Sequence, residues 1–251
     1  MSRELLDVAV AAARAAGAVL LERYEAGARG VATKSTPTDP VSEADLAAEQ
    51  AIREILTARR PDDAILGEEG GGASGTSGLR WVVDPLDGTV NYLFGLPQWC
   101  VSVACEGRAA AILDPVRDEL FTVVTGQGAV LDGAPLRGST RAELATALVA
   151  TGFGYDAGVR ARQGQVVAAL LPRVRDIRRM GSAALDLAWT AAGRYDAFYE
   201  RGVQAWDTAA GTMLCAAAGL AVRELTTSGD LPAGVLVASP GLVDELHALI
   251  T

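Results

Sequence analysis

A chain of 251 residues that is 50% hydrophobic and 21% charged has the composition of a folded globular protein, which sets disorder aside and allows one large domain or two closely packed lobes. A formal net charge of -9 at pH 7 argues against nucleic acid or an anionic membrane surface as the main partner. Cys100, Cys105 and Cys215 are odd in number and lack a C-x-x-C pair, so neither a disulfide framework nor a thiolate zinc site is indicated, and the cytoplasm is the expected compartment.

Taken in order, residues 5–24 place Leu5, Val8, Ala12, Val19 and Tyr24 at helical spacing, with Gly27 and Gly30 as a stop. Asp7 and Arg14 interrupt this apolar stretch, so it is too short for a signal peptide, and no run reaches the ~18 residues of a membrane span. Ser42 reads as the N-cap of a second helix with Asp45 in its first turn, Ile52, Ile55 and Leu56 on one face and a stop near Pro61. A short strand at 64–67 delivers Glu68 and Glu69, and a glycine-rich loop leads to a strand at 79–83 that ends in Asp84 and Asp87. Alternation and turn residues predict a largely antiparallel sheet to about residue 138. Beyond it, strands near 148, 177 and 196–199 alternate with helices at 159–171, 182–192 and 208–218, followed by short strands to about 237 and a closing helix at 242–250. The pattern fits a single domain over 1–251, with approximate lobes at 1–140 and 141–251.

Two separate strands that end in pairs of acids call for compensation, because neighbouring carboxylates repel and lose hydration near a core. Taken singly, Asp45 would merely favour a helix dipole and Asp207 in "AWDTAAG" would be an N-cap, but Asp45, Glu68, Glu69, Asp84, Asp87 and Asp207 all fall at element edges. Carboxylate oxygens suit Mg²⁺ and its usual partner, phosphate. The single histidine, His247, is expected on the surface of the closing helix, so zinc, a Ser-His-Asp triad and a phosphohistidine are all disfavoured. A helix starting at Gly88-Thr89 would add an anion site beside the metal. "LDGTV" also resembles the core of haloacid-dehalogenase-type phosphatases, but the nucleophile position there is Pro85, which cannot attack phosphorus.

Together, "GEEG" at 67–70, "DPLDGTVNY" at 84–92 and "WDTAAG" at 206–211 resemble the inositol monophosphatase family of Mg²⁺-dependent, lithium-sensitive phosphatases. "KSTPTDPVSEAD" at 34–45, "FGLPQWCVSVA" at 94–104 and "GSAALDLAWTAAGRYDAFYE" at 181–200 extend the likeness over essentially the whole chain. The resemblance implies an α/β/α/β/α layered sandwich and two to three Mg²⁺ per site. Glu68, Asp84 and the Leu86 carbonyl would hold the first ion, Asp84, Asp87 and Asp207 the second, and Glu68 with water a weaker third. It further implies direct hydrolysis of a small phosphate monoester by a metal-activated water, with Thr89 and either Glu68 or Asp45 drawing off its proton, and Gly88 and Thr89 at the phosphate. Gly181, Ser182, Ala183, Asp87 and Glu200 would line the sugar-ring pocket, Glu200 accepting from ring hydroxyls of a polyol phosphate.

Gly219-Leu220 and Ala238-Ser239-Pro240 depart from the family's usual Gly-Gly and "ASN", outside the metal motifs. Histidinol-phosphate phosphatase, fructose-1,6-bisphosphatase and 3′-phosphoadenosine 5′-phosphate phosphatase activities would use similar ligands. A regulatory binding protein would act instead through Arg173, Arg175, Arg178 and Arg179, and a purely structural metal site would bind without turnover. A homodimer and inhibition by Li⁺ are expected from the family alone.

Overall fold

The computed structural model describes residues 2–26, 31–33 and 40–251. Gly27, Gly30 and positions 34–39 of the "KSTPTDPVSEAD" segment lie outside the described residues. Helix α1 (Ser2–Glu25), strands β1 (Val31–Thr33) and β2 (Pro40–Ser42) and helix α2 (Glu43–Arg59) lead into β3 (Ala64–Gly67), β4 (Gly71–Ala73) and β5 (Arg80–Asp87). A short helix, α3 (Thr89–Leu93), precedes β6 (Cys100–Cys105), β7 (Ala109–Asp114), β8 (Glu119–Val124), β9 (Gly128–Leu131) and β10 (Ala134–Pro135). The remainder is β11 (Leu148–Thr151), α4 (Ala157–Leu170), β12 (Asp176–Arg178), α5 (Ala183–Ala191), β13 (Ala197–Arg201), α6 (Ala205–Ala217), β14 (Ala221–Leu225), β15 (Gly234–Ala238) and α7 (Val243–Ile250).

Strands β3 to β10 form an eight-stranded sheet in the order β10-β9-β8-β7-β6-β5-β3-β4, and a five-stranded sheet runs β12-β11-β13-β15-β14. Because successive strand residues face opposite sides, β6 feeds two cores at once. Val101, Val103 and Cys105 pack beneath α1 and α2, while Cys100 and Ala104 meet α5 and α6 on the other face. That second core continues through Leu187, Leu214 and Leu185 to Phe198 and Val237 of the smaller sheet. The far side of the smaller sheet buries Val149, Tyr199 and Leu236 against Leu170 of α4 and Leu246 and Ile250 of α7. The layers are therefore α1/α2, large sheet, α5/α6, small sheet, α4/α7, the expected α/β/α/β/α sandwich. Burial of each large side chain such as Trp81, Phe121 or Phe198 stabilises this stack by roughly 1.5–3 kcal/mol.

Several boundaries differ from the sequence reading. The strand expected at 79–83 runs on to Asp87, because its pairing with β6 survives a register shift between Asp84 and Asp87. The sheet is antiparallel from β5 to β10, but β3 pairs β5 in parallel, and the glycine-rich loop contains β4. The helix expected at 208–218 begins at Ala205, because Gln204 and Asp207 close a capping box one turn earlier, so Asp207 is in the first turn and is not the N-cap. His247 is half-buried in the last turn of α7, not on the open surface. Among the described residues, no helix is long and apolar enough to cross a membrane.

Candidate active site

Strands β3 and β5 run side by side with Gly67 opposite Val83, so both chains deliver their acids to one edge of the sheet. The Glu68-Glu69 turn is held from behind by Glu49 of α2, which is 2% exposed. Its carboxylate accepts the Glu69 and Gly70 amides at 2.8 and 2.7 Å and pairs with Arg53 at 2.7 Å. A Cβ on Gly67 or Gly70 would meet Glu49 Oε1 at 2.6 or 2.5 Å, which explains the glycines on either side of the acids. On β5 the bulge turns Asp84 inward, and the Leu86 amide donates to Asp84 Oδ1 at 3.0 Å. Gly88 follows at φ 104°, where a Cβ would stand 2.9 Å from the Gln98 carbonyl, and α3 begins at the next residue.

Thr89 Oγ1 lies 3.0 Å from Asp45 Oδ1 and 3.1 Å from the Leu86 carbonyl, and its one proton can serve either acceptor. Asp45 Oδ2 also accepts from the Ser42 amide at 2.9 Å and from the Ser42 hydroxyl, and with Ser42 as the expected N-cap the two close a capping box at the start of α2. Of the two acids named as helpers of Thr89, the structure pairs it with Asp45. Asp45 is fully buried, and the cavity lining includes Thr89 but not Asp45.

Asp87 is fixed by the start of α5: its Oδ2 accepts from the Ser182 hydroxyl at 2.8 Å and the Ala184 amide at 2.6 Å. Ser182, expected on the substrate side, is 1% exposed and turned toward Asp87, so it positions that acid while Gly181 and Ala183 line the cavity. Asp207 accepts the Gln204 amide at 2.6 Å across the first turn of α6.

Glu68, Asp84, Asp87 and Asp207 share one cavity of about 500 Å³ with Thr89 and Glu200. Burial, reinforced by Glu68, Asp87 and Asp207, raises Asp84 well above the usual carboxylate range. Burial and then Asp87 do the same to Asp207. Burial lifts Asp87 to about 6 against the Ser182 and Ala184 hydrogen bonds. None of the described ion pairs reaches these three acids. Crowded, desolvated oxygen donors without an arginine or lysine partner are the chemistry that a hard divalent cation neutralises. Among the described residues, no three side chains converge tightly enough to form a ready-assembled cage.

Glu200 of β13 is lifted to about 8 by burial, with Arg179 pulling down and Asp87 pushing up. Gly152 makes room for it, since a Cβ there would overlap the Glu200 carboxylate.

Sequence reasoning missed Glu49, whose signal is its i,i+4 spacing from Asp45 on the apolar face of α2. It missed Phe153 and Tyr155 in the cavity wall, and Asp186, buried with both oxygens unpartnered and raised well above the carboxylate range by burial. The four arginines of the expected basic cluster are each engaged: Arg173 pairs with Glu245, Arg178 with Asp176, Arg175 bonds the Thr146 carbonyl, and Arg179 enters the cavity wall over the Phe153 ring.

Comparison with known proteins identifies the family. The model of the inositol monophosphatase family matches residues 1–251. An inositol-1-monophosphatase of Mycobacterium bovis is 43% identical over 244 residues, covering 92% of this chain and 84% of the relative. The Nus factor SuhB of Escherichia coli K12 is 40% identical over 252 residues, covering 97% and 94%. The crystal structure of the extragenic suppressor protein suhB from Bartonella henselae superposes with a TM-score of 0.91 at 35% identity, covering 98% of each chain. The chain belongs to the inositol monophosphatase family and is a phosphoric monoester hydrolase.

Proposed function

We propose that the protein hydrolyses inositol 1-phosphate, or a closely related polyol monophosphate, in an Mg²⁺-dependent, Li⁺-inhibited reaction. The observation that carries this reading is one cavity lined by four acids, Glu68, Asp84, Asp87 and Asp207, together with Glu200, Gly181 and Ala183. The four acids suit a cation with its phosphate. Glu200 suits a ring of hydroxyls, and a site built to bind hydroxyls rejects analogues that lack them.

The donor set fits Mg²⁺. Glu68, Asp84 and the Leu86 carbonyl would hold one ion, Asp84, Asp87 and Asp207 a second, and Glu68 would contribute to a weaker third. When bound, Mg²⁺ supplies Lewis-acid charge that acidifies water and offsets the phosphoryl oxygens. The chain's own residues then orient the reactants. If Thr89 gives its proton to Asp45, a lone pair of its hydroxyl is left toward the cavity, able to accept a hydrogen bond from an attacking water. Ser182 and the Ala184 amide keep Asp87 in place, and Gly88 allows close approach of a phosphate to the backbone. Glu200, protonated below about 8, can both donate to and accept from ring hydroxyls.

Phosphate release from inositol 1-phosphate, histidinol phosphate, fructose 1,6-bisphosphate and 3′-phosphoadenosine 5′-phosphate tests the proposal. Preference for the first supports it, and turnover led by another substrate overturns the substrate while keeping the chemistry. The name of the Escherichia coli relative, Nus factor, raises a role through contacts beside hydrolysis. The arginines that would have served it each have a partner within the chain, Arg173 and Arg178 in ion pairs, Arg175 on the Thr146 carbonyl and Arg179 over the Phe153 ring. A homodimer in a reducing cytoplasm completes the proposal, in keeping with three buried, unpaired thiols.

A further inference from the structure

Behind the wall that carries Glu200 lies a second, small cavity of about 10 Å³, lined among others by Thr151, Phe153, Gln163, Tyr199 and Arg201. Strand alternation produces it: Glu200 faces the substrate side of β13, and its neighbours Tyr199 and Arg201 reach the rear. Thr151 of the adjoining parallel strand stands directly opposite Tyr199.

Three polar groups meet there without partners. Thr151 Oγ1, Tyr199 Oη and Arg201 Nε are each buried and make no hydrogen bond, in residues 0%, 6% and 4% exposed. The Thr151 hydroxyl is close enough to temper the rise that burial imposes on the Tyr199 phenol, but not with the geometry of a hydrogen bond. The other nitrogens of Arg201 are engaged: one donates to the Thr226 and Pro232 carbonyls at 2.8 Å each, and the other reaches the Ile250 carbonyl at 3.5 Å. Gln163 ties the node to the loop of the main cavity, donating to the Arg201 carbonyl at 3.1 Å and accepting the Gly154 amide at 2.9 Å.

An orphaned buried donor costs far more than a satisfied one. The space matches about one water, which needs two to four polar partners. A space of about 10 Å³ has room for one water-sized molecule and too little for a polyatomic anion. We infer that this cavity is a binding site for one ordered water that accepts from Arg201 Nε and bridges the Tyr199 and Thr151 hydroxyls. Through it Thr151 and Tyr199 act as positioning residues for Glu200, a role that rests on the proposed recognition of ring hydroxyls by Glu200.

The test joins a high-resolution crystal structure with kinetics of the Mg²⁺-loaded enzyme. The structure should show one density peak within hydrogen-bond distance of all three atoms. Thr151→Val and Tyr199→Phe should raise KM for inositol 1-phosphate ~3-fold or more, the effect of losing a buried hydrogen bond, with kcat and the hydrolysis of 4-nitrophenyl phosphate, which lacks ring hydroxyls, unchanged. Thr151→Ser should behave as the parent. An empty or halide-filled cavity, or equal losses on both substrates, would overturn the inference. Should either variant fail to fold, the density peak in the parent protein decides. Glu200→Gln, measured alongside, isolates the other premise: if it leaves KM for inositol 1-phosphate unchanged while the peak is present, the recognition reading fails and the water site stands.

Discussion

Replacing Glu200 by glutamine should change how the metal-free protein responds to pH. Burial lifts this carboxyl from 4.5 to about 8, so the folded protein holds a proton that the unfolded chain releases. With a raised folded-state pKa, the stabilisation is fully present below about 4.5 and is lost as pH rises toward 8. At ~1.36 kcal/mol per unit the full span is worth at most about 5 kcal/mol, and solvent at the cavity mouth reduces it to roughly 2 kcal/mol. Glutamine carries no such proton, so the variant should be about 2 kcal/mol more stable than the parent at pH 8 and close to it at pH 5. Urea denaturation of both proteins in chelator, followed by circular dichroism at several pH values, measures the difference. Parallel pH profiles for the two proteins would refute the argument, since they would mean that Glu200 titrates as it does in water.

Three other substitutions probe the supporting contacts. Glu49→Ala should cost ~3 kcal/mol, by removing the ion pair with Arg53 and leaving two turn amides unpartnered, and should lower activity at temperatures where the fold is intact; near-parental turnover would show that Glu68 is not positioned from α2. Gly152→Ala forces a methyl into the Glu200 carboxylate and should cost ~1–3 kcal/mol while raising KM for inositol 1-phosphate, checked by thermal melts and initial rates. Ser182→Ala removes a hydrogen bond that holds the Asp87 carboxyl down, so Asp87 should titrate above about 6, visible as a shifted carboxyl resonance in NMR of the metal-free protein.

How far the fold and site were legible depended on the range of the interaction. Ser42 and Asp45 declared a helix start because a capping box spans three residues, and the element order followed from local periodicity. The parallel pairing of β3 with β5 could not be read locally, since both strands are short and apolar and only the register Gly67 to Val83 shows their direction. The five layers came from family resemblance and are seen here to arise from strands such as β6 that serve two cores. The four acids were visible as carboxylates at element ends. Their supports were not, because Glu49, Ser182 and Gly152 act across 20, 95 and 48 residues on Glu69, Asp87 and Glu200, distances over which spacing carries no signal. Arg179 was grouped with its neighbours by sequence, yet successive side chains of an extended segment diverge.

The central claim, that the four acids work as a cation site for phosphate-ester hydrolysis, is tested most directly by phosphate release from inositol 1-phosphate as Mg²⁺ is titrated into the parent protein and into Asp87→Asn and Asp207→Asn. Activity of the parent should rise from nothing with Mg²⁺, and both variants should fold yet lose at least ~100-fold at saturating substrate. Turnover by the parent in chelator, or variants that fold and turn over like the parent, would contradict it.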